Sequence, residues 1–508
     1  MGRHHHSATR RRFFRTLLGL GLTAGVGGVA ISRTTGAGGT VPHGPSAVDP
    51  ALAAQLPLLL GGPAERPALV RRFPELGYDR DNPALVQIGN VFADHFPDID
   101  PAAPRLGEPG EALFRIPGSY RRHLIPWVSL FPKPTPLVAA APELARYAGA
   151  RGLYVKDEGS DRLALYGNKV RKYEYALANA VQGGARRLVT FGALGSNHCT
   201  FVTLAARLGR YASARRPGGL DVALGLYPQT PDAAVVAKLQ LMAGLGAQVD
   251  FLPEETDVGL AIARQRLREN LGMGGDTLYV EPGGSSTLTV LGHLDAMLEL
   301  DEQIRAGNSA LPAPPDDIFV ALGSGATSIG LALGCYLLGW PTRVIATASQ
   351  DKSPLTRLVV NRSWTQPFAV GHARRLLESS LGLLRALDLE RLFGRPLDAD
   401  RVLAGHYRYD NQSWKPGYGV PSAFTRRVLA DTAALGLALD PTFTGKAFSN
   451  LVAHGRAGRL RQRTALFWNT HHRFPLAQIA AVRDQSLSGL PDLLQQYLAA
   501  SPGATKVG

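Results

Sequence analysis

Strand-like and helix-like hydrophobic patterns alternate along the middle of the chain. The β-branched run "RRLVTFGAL" (186–194) is typical of a strand, and the apolar spacing of "DAAVVAKLQLMAGLG" (232–246) indicates a helix. The same patterns predict strands over 152–158, 221–227, 247–253 and 342–349, helices over 166–180 and 197–209, and a strand, glycine loop and helix over 316–339. Strands alternating with helices indicate parallel sheets and an α/β fold.

The flanking stretches lack this alternation. Residues 36–124 are rich in Pro, Gly and Arg and are predicted to be an irregular N-terminal extension. The main folded region is expected to span 125–500, with 165–290 as a nested smaller α/β domain. Within it, 350–405 is predicted to be an insertion, partly helical around 373–393.

Residues 1–35 have the pattern of a targeting segment. "TRRRFFR" (9–15) carries the pair Arg10 and Arg11, and a mildly apolar, acid-free run with five glycines follows over 16–31. This resembles a twin-arginine export signal and predicts an exported, periplasmic protein. The alternatives are an uncleaved membrane anchor and an organellar transit peptide. Because a span needs roughly 20 well-packed apolar residues, no stable membrane span is expected beyond the signal.

Composition places the chain among soluble globular proteins of two or three domains. It has 508 residues, of which 45% are hydrophobic and 19% are charged. The net charge is +14, but residues 1–40 hold six arginines and no acid, which leaves +8 spread over the rest. No nucleic-acid partner is therefore expected. The two cysteines, Cys199 and Cys335, lie in segments that look buried, which excludes a disulfide framework.

The segment "YGNKVRKYEYALANA" (166–180) raises a question about one lysine. Its apolar positions, among them Tyr173, Leu177 and Ala180, recur at helical spacing and predict an amphipathic helix. Lys169 stands at the N-terminal end, where the helix dipole presents partial positive charge and a cation is poorly placed. Either the side chain extends into solvent, or its amine serves a particular chemistry.

Two other segments carry candidate chemistry where a strand gives way to a helix. In "ALGSGATSIG" (321–330), Gly323 and Gly325 allow a tight turn whose backbone N–H groups can hold a phosphate beside the helix N-terminus. In "FGALGSNHCT" (191–200), polar side chains occupy the usual position for ligand contacts in an open α/β sheet.

Each of these features also has a purely structural interpretation. The glycine-rich turn can exist without a ligand, Ser196 and Asn197 can serve as a helix N-cap, and His198 can be a partly buried helix residue. Together with Lys169, however, they describe a pyridoxal phosphate site. A lysine amine whose pKa is lowered can form a Schiff base with the aldehyde, while the glycine loop holds the phosphate.

The sequence resembles a known enzyme family at these same segments. "GNKVRKYEYALANA", "LVTFGALGSNHCTFVTLAARLG" and "PGGSSTLTVLGHLDAMLEL" (282–300) are similar to the D-cysteine desulfhydrase and aminocyclopropane-carboxylate deaminase family. The resemblance covers roughly 125–349 and 405–475. It implies the tryptophan-synthase-β-like fold of pyridoxal-phosphate enzymes, fold type II. In that fold, two open twisted parallel-sheet domains hold the cofactor in the cleft between them.

The resemblance also implies roles for individual residues. Lys169 is expected to form the Schiff base, and Asn197 to contact the cofactor's phenolic oxygen. Ser196 and His198 are expected near the substrate carboxylate or the reacting carbons. The residues expected to hold the phosphate are Gly323, Ser324, Gly325, Ala326 and Thr327, with Ala326 where the family usually has a second glycine.

Several positions depart from the ring-opening deaminases of this family. Thr444 stands where those enzymes carry a glutamate beside the pyridine nitrogen, and Phe443 replaces a tyrosine. Tyr418 matches the family's other tyrosine and is a candidate catalytic residue. The C-terminal motif His-Thr-Gly-Gly appears as Asn469, Thr470, His471 and His472. Thr470 is the predicted partner of the pyridine nitrogen.

These differences favour a lyase that performs α,β-elimination on a small amino acid, giving a keto acid and ammonia. A hydroxyl partner leaves the pyridine nitrogen largely unprotonated, which suits early loss of a leaving group better than ring opening. The alternatives are a ring-opening deaminase, a racemase, a non-catalytic pyridoxal phosphate binder, and a module that binds an unrelated phosphate ligand. A homodimer without a metal is expected.

Overall fold

The computed structural model describes the following residues of the chain: 125, 127, 133–159, 167–182, 185–207, 220–270, 273–307, 309–349, 366–386, 390, 393–410, 416–472, 476–478 and 480–501. The proposed export signal (1–35) and the whole N-terminal extension (36–124) lie outside these residues. Among the described helices, none combines the length and apolarity that crossing a membrane requires.

Twelve strands form the sheets of the described region. In chain order they are β1 (Leu137–Ala139), β2 (Gly152–Asp157), β3 (Arg187–Ala193), β4 (Asp221–Tyr227), β5 (Gln248–Phe251), β6 (Thr277–Tyr279), β7 (Asp317–Leu322), β8 (Arg343–Ala348), β9 (Tyr407–Asp410), β10 (Pro416–Gly417), β11 (Val420–Pro421) and β12 (Thr464–Asn469). A six-stranded sheet has the order β1-β2-β12-β7-β8-β9, in which only β1 is antiparallel. A parallel four-stranded sheet has the order β5-β4-β3-β6, and β10 and β11 form a hairpin.

The helices pack on these sheets. They are α1 (Pro142–Ala148), α2 (Lys169–Gln182), α3 (Asn197–Arg207), α4 (Ala233–Gly244), α5 (Glu255–Asn270), α6 (Leu291–Arg305), α7 (Ala326–Leu338), α8 (Gln366–Ala386), α9 (Ala399–His406), α10 (Ala423–Ala434), α11 (Thr444–Arg456), α12 (Ala480–Arg483) and α13 (Asp492–Ala499), with a 3₁₀ turn over Leu476–Gln478. Parallel strands with crossover helices bury both sheet faces, which explains the nearly continuous apolar runs of β7 and β8.

The α/β fold class is confirmed, as is each strand and helix that the hydrophobic pattern predicted over 152–349. The predicted partly helical stretch around 373–393 is confirmed, because α8 spans Gln366–Ala386 and residues 390 and 393 are helical as well. The pattern did not reveal α5, whose apolar positions are sparse, or β6, which has only three residues. The four-stranded sheet lies within 165–290, and the proposed domain boundaries stay predictions.

Both cysteines are buried and free. Burial raises the pKa of the Cys199 thiol to about 12 and also raises that of Cys335. The expectation that the chain lacks a disulfide bridge is therefore confirmed.

Helix α2 is attached to the large sheet through buried ion pairs. Arg171 donates from Nε to Glu158 at 2.7 Å, and both its terminal nitrogens donate to the Glu299 carboxylate at 3.0 Å. Lys156 donates to the same carboxylate at 2.6 Å, and all four side chains are at most 2% exposed. Burial alone would raise the pKa of Glu299, but the charges of Arg171 and Lys156 outweigh it and lower that pKa.

A second pair of contacts continues this network one turn along the helix. Lys133 Nζ lies 2.7 Å from Glu174 of α2 and 3.6 Å from Asp295 of α6, again with almost fully buried side chains. The opposite face of α2, with Tyr173 and Leu177, packs in the hydrophobic core beside the four-stranded sheet. Helix α2 is thus held by apolar packing on one face and by charge pairing on the other.

We expect Arg171→Met to lower the free energy of unfolding by about 3–5 kcal/mol, because Glu158 would remain buried without this counter-charge and Glu299 would keep only Lys156. Urea unfolding measures this loss. Arg146→Met is the control, since Arg146 pairs with Glu143 on the exposed surface and should change stability little. A loss at Arg171 no larger than that at Arg146 would contradict the role of the network.

Candidate active site

A cleft of about 390 Å³ opens at the carboxyl ends of the parallel strands. Ten of the eleven site residues predicted from sequence line it: Lys169, Ser196, Asn197, His198, Gly323, Ser324, Gly325, Thr327, Tyr418 and Thr470. The eleventh, Ala326, is not in the lining, and its backbone N–H donates to Ser285 Oγ at 3.1 Å. Segments separated by up to 300 residues therefore meet in one cavity, although the catalytic and binding roles stay predictions.

Lys169 is the first residue of α2 and projects into this cleft. The turn before it contains Gly167, at a positive φ of 49°, and a Cβ there would lie 2.8 Å from the Thr470 carbonyl oxygen. Asn168 donates from Nδ2 to Thr327 Oγ1 at 2.9 Å, which ties the lysine turn to the glycine loop. Burial lowers the pKa of the Lys169 amine to about 8. A substantial fraction of this amine is therefore neutral at mildly alkaline pH.

The glycine loop between β7 and α7 has the geometry of an anion site. Gly325 is the N-cap of α7, with φ at 103°, so the positive end of a 13-residue helix faces the cleft. Ser324 Oγ donates to the Gly283 carbonyl at 3.0 Å and accepts from Ser285 Oγ at 2.6 Å. A Cβ at Gly283 would lie 2.5 Å from Ser324 Oγ, so the neighbouring loop must be glycine there.

Lys172 is a second lysine at this loop that the sequence analysis missed. It is 1% exposed, and its Nζ donates to the Gly283 carbonyl at 3.2 Å, to Ser285 Oγ at 3.3 Å and to Ser324 Oγ at 3.4 Å. The sequence could have indicated it, because Lys172 follows Lys169 by three residues, and residues i and i+3 lie on the same face of a helix. The cradle therefore combines hydroxyls, a helix N-terminus and an ammonium group.

The Ser-Asn-His segment begins α3, and both proposed interpretations apply to it. Ser196 Oγ accepts from the Cys199 backbone N–H at 3.3 Å, as an N-cap does, while Ser196 and Asn197 also line the cleft. The preceding Gly195 is held on both sides. Its N–H donates to Gln229 at 3.0 Å, and its carbonyl accepts from Lys238 at 3.1 Å.

His198 is buried, with hydrogen-bond partners at both ring nitrogens. Nε2 lies 2.6 Å from Thr190 Oγ1, and Nδ1 forms a short contact with the Tyr173 hydroxyl. Because the Thr190 hydroxyl donates its one proton to the Val280 carbonyl at 2.7 Å, Nε2–H must be the donor to Thr190. The Tyr173 hydroxyl then donates to Nδ1. Proton transfer by His198 to a substrate would require one of these bonds to break.

The far wall contains the positions that depart from the deaminases. Tyr418 and Phe443 pack edge to face with ring centroids 5.7 Å apart, and burial raises the Tyr418 pKa well above its usual value. Thr444 is fully buried and lies outside the cleft lining; its hydroxyl donates to Asp440 Oδ2 at 2.5 Å. Thr470 lines the cleft, so it remains the candidate partner of the ring nitrogen.

Asp440 is an acidic lining residue that the sequence analysis missed. Its carboxylate accepts backbone N–H bonds from Thr442, Phe443 and Thr444 at 2.7–3.0 Å, which caps α11. Burial would raise the Asp440 pKa, but the charge of His471 and these hydrogen bonds lower it. An acid four residues before the first residue of a helix was the usable signal.

The assembled groups fit pyridoxal phosphate. Lys169 supplies an amine for the aldehyde, the turn over 323–327 with Lys172 supplies donors for a phosphate, and Asn197 and Thr470 offer polar contacts for the ring between them. In the part of the chain that the structure describes, no group of three or more His, Cys, Asp or Glu side chains could hold a metal ion.

Comparison with known proteins agrees with this fit. The family of pyridoxal-phosphate dependent enzymes matches residues 128–470. A putative 1-aminocyclopropane-1-carboxylate deaminase of Thermotoga maritima is 30% identical over 330 residues, covering 64% of this chain and 90% of that protein. D-cysteine desulfhydrase of Salmonella paratyphi C is 30% identical over 331 residues, covering 64% and 88%. Nocardicin C-9' epimerase of Nocardia uniformis subsp. tsuyamanensis is 31% identical over 346 residues, covering 66% and 91%.

A solved structure also resembles this chain. The crystal structure of a homologue of ACC deaminase superposes with a TM-score of 0.51 at 26% identity, covering 68% of this chain and 91% of that one.

We expect Gly283→Ala to weaken binding of pyridoxal phosphate, because the added Cβ would displace Ser324 from the cradle. The dissociation constant can be measured by titrating the apoprotein and following cofactor absorbance. Gly307→Ala is the matched control, since Gly307 also has a positive φ, 70°, but its Cβ would meet nothing within 4 Å. Equal weakening in both variants would show that backbone strain, and not the cradle, is responsible.

Proposed function

The chain belongs to the pyridoxal-phosphate-dependent enzymes of fold type II, and we propose that it is a lyase that catalyses α,β-elimination on a small amino acid. The products would be a keto acid and ammonia. The observation that carries the proposal is the Lys169 amine in the same cleft as the glycine turn over 323–327. Bound pyridoxal phosphate supplies the electron withdrawal that makes the α-hydrogen of an amino acid acidic.

Lys169 would hold the cofactor through its aldehyde and then act as the base at the α-carbon. Its pKa of about 8 suits both tasks, because the neutral amine is available without extreme pH. The buried pairs of Arg171 and Glu174 fix the helix that carries it, so the amine has little freedom to move away.

The remaining residues would orient the reactants and exclude water. Lys172 and the α7 N-terminus would neutralise the phosphate, and Ser196 would face the substrate carboxylate at the start of α3. Tyr418 is protonated at rest because its pKa is raised, so it can donate a hydrogen bond or a proton. Phe443 closes the wall beside it without offering a hydroxyl.

The choice of elimination over ring opening rests on the polar groups of the far wall. Thr470 offers a hydroxyl to the ring nitrogen, and Thr444, at the position of the deaminase glutamate, is turned towards Asp440. An unprotonated ring nitrogen withdraws electrons weakly, which favours a leaving group that departs soon after the α-proton. One relative named as a D-cysteine desulfhydrase agrees with this chemistry.

We expect the purified protein to release ammonia and pyruvate from D-cysteine, L-cysteine or β-chloroalanine, with sulfide from the cysteines. Lys169→Ala should lose both the yellow colour and turnover, because it removes the aldehyde ligand and the base. Coupled assays for keto acid, ammonia and sulfide test this, with 1-aminocyclopropane-1-carboxylate as the ring-opening comparison. A coloured protein that releases no product from any of these would instead be a non-catalytic cofactor binder.

Epimerisation is a second candidate, which the relative named nocardicin C-9' epimerase and the shape of the cleft favour. Beyond the glycine loop the cleft extends to an apolar wall formed by Phe191, Val258 and Ile262, which would accept a substituent larger than a thiol. Epimerisation requires a proton donor on the face of the α-carbon opposite Lys169. Tyr418 is the candidate for this donor.

Proton exchange in deuterium oxide distinguishes the two candidates. We expect an eliminating enzyme to form keto acid while the unreacted substrate keeps its configuration. An epimerase would place deuterium at the α-carbon of both enantiomers without releasing ammonia. Chiral chromatography with mass spectrometry measures both outcomes, and Tyr418→Phe should abolish inversion if the epimerase assignment is right.

Export and dimerisation belong to the proposal as well. The arginine pair Arg10–Arg11 and the apolar run after it support a periplasmic location by the twin-arginine route, with membrane anchoring by an uncleaved signal as the alternative. Folded export would allow the cofactor to be bound before transfer. A homodimer is proposed because relatives commonly form one.

A further inference from the structure

We propose that His472 sets the orientation of the Asn197 side-chain amide, so that Asn197 presents N–H groups to the phenolic oxygen of bound pyridoxal phosphate. His472 would be a positioning residue that acts through Asn197. The inference rests on the proposed cofactor role of the cleft. It concerns a position where the sequence departs from the family motif, which has glycine there.

The contact joins two distant segments of the cleft wall. His472 Nε2 lies 3.2 Å from Asn197 Oδ1, across 275 residues of sequence, and both residues line the cleft. Within the described part of the chain, the buried Nδ1 atom of His472 has no hydrogen-bond partner. A neutral imidazole carries one proton, and the nitrogen that donates a hydrogen bond is the protonated one.

The protonation state follows from this geometry. An amide oxygen can only accept, so His472 must carry its proton on Nε2 and donate to Asn197 Oδ1. Burial, followed by the charges of Lys238 and His471, lowers the His472 pKa to about 3. The ring is therefore neutral near pH 7, with the proton on Nε2 and an unprotonated Nδ1.

The backbone around His472 is held before any ligand binds. A Cβ at Gly159 would lie 1.5 Å from the His471 carbonyl oxygen, and one at Gly167 would lie 3.3 Å from the His472 nitrogen. Asn469 ties the end of β12 to the end of β2, with its Nδ2 donating to Asp157, the last residue of β2, at 3.0 Å. The imidazole thus projects from a fixed segment and can impose its geometry on Asn197.

The consequence for the cofactor is electrostatic. With Oδ1 engaged by His472, the amide group that Asn197 can offer to a ligand in the cleft is its NH₂. Such a donor stabilises a negatively charged phenolic oxygen, whereas a flipped amide would present a carbonyl and favour the neutral phenol. These two forms absorb differently, the phenolate in the visible and the phenol in the near ultraviolet.

The test is the absorption spectrum of the cofactor-loaded protein without substrate. His472→Phe keeps a ring of similar size but removes the donor, and we expect its ratio of visible to near-ultraviolet absorbance to fall about two- to ten-fold, the effect of one hydrogen bond. His472→Gln, which retains a side-chain N–H, should restore most of the ratio. His406→Phe is a remote control, because His406 contacts the Thr342 carbonyl on another part of the fold.

A double variant separates positioning from a general packing effect. In an Asn197→Ala background, His472→Phe should cause no further spectral change, because the amide that it orients is absent. An unchanged ratio in the folded single variant, or the same change with and without Asn197, overturns the inference. If the wild-type protein shows neither cofactor band, the proposed function fails, and the role of His472 fails with it; a near-ultraviolet band alone overturns only the role of His472.

Discussion

The position of helix α2 is the constraint on which the rest of the site depends. Seven buried charged side chains hold it: Lys133, Lys156, Glu158, Arg171, Glu174, Asp295 and Glu299. Arg171 of α2 pairs with Glu158, directly after β2, and with Glu299 of α6, and Glu174 of α2 pairs with Lys133 before β1. Buried charges are stable only with their partners in place, so the helix has a single position that satisfies all of them. Because Lys169 is the first residue of this helix, the network also determines where its amine lies.

The electrostatics of the cleft favour an anionic, aldehyde-bearing ligand. Lys169, Lys172 and the positive end of α7 line the cleft at the glycine loop. Of the two acidic lining residues, Asp440 accepts backbone hydrogen bonds from Thr442 and Phe443, and Glu254 is exposed. Desolvation makes the amine nucleophilic, and the same desolvation strengthens the attraction between the cradle and a phosphate. Burial of the cleft therefore favours both phosphate binding at the glycine loop and the nucleophilicity of the Lys169 amine.

The wall opposite the lysine shows how this chain differs within its family. Phe443 lines the cleft without a hydroxyl, and Thr444 lies outside the lining with its hydroxyl bonded to Asp440. On this side of the cleft the end of β12 supplies polar groups, since Thr470 and His472 line it and His472 bonds to Asn197.

Local patterns in the sequence determined the α/β fold, the start of α2 at Lys169 and the glycine turn of α7, because helix spacing, strand composition and positive-φ turns depend on neighbouring residues. Tertiary structure alone decided the bonds of His198, the pairing of Arg171 with Glu299, and the contacts of Lys172 and His472. These join residues between 8 and 275 positions apart. Their geometry depends on how the strand ends are brought together, a property of packing that no local pattern contains.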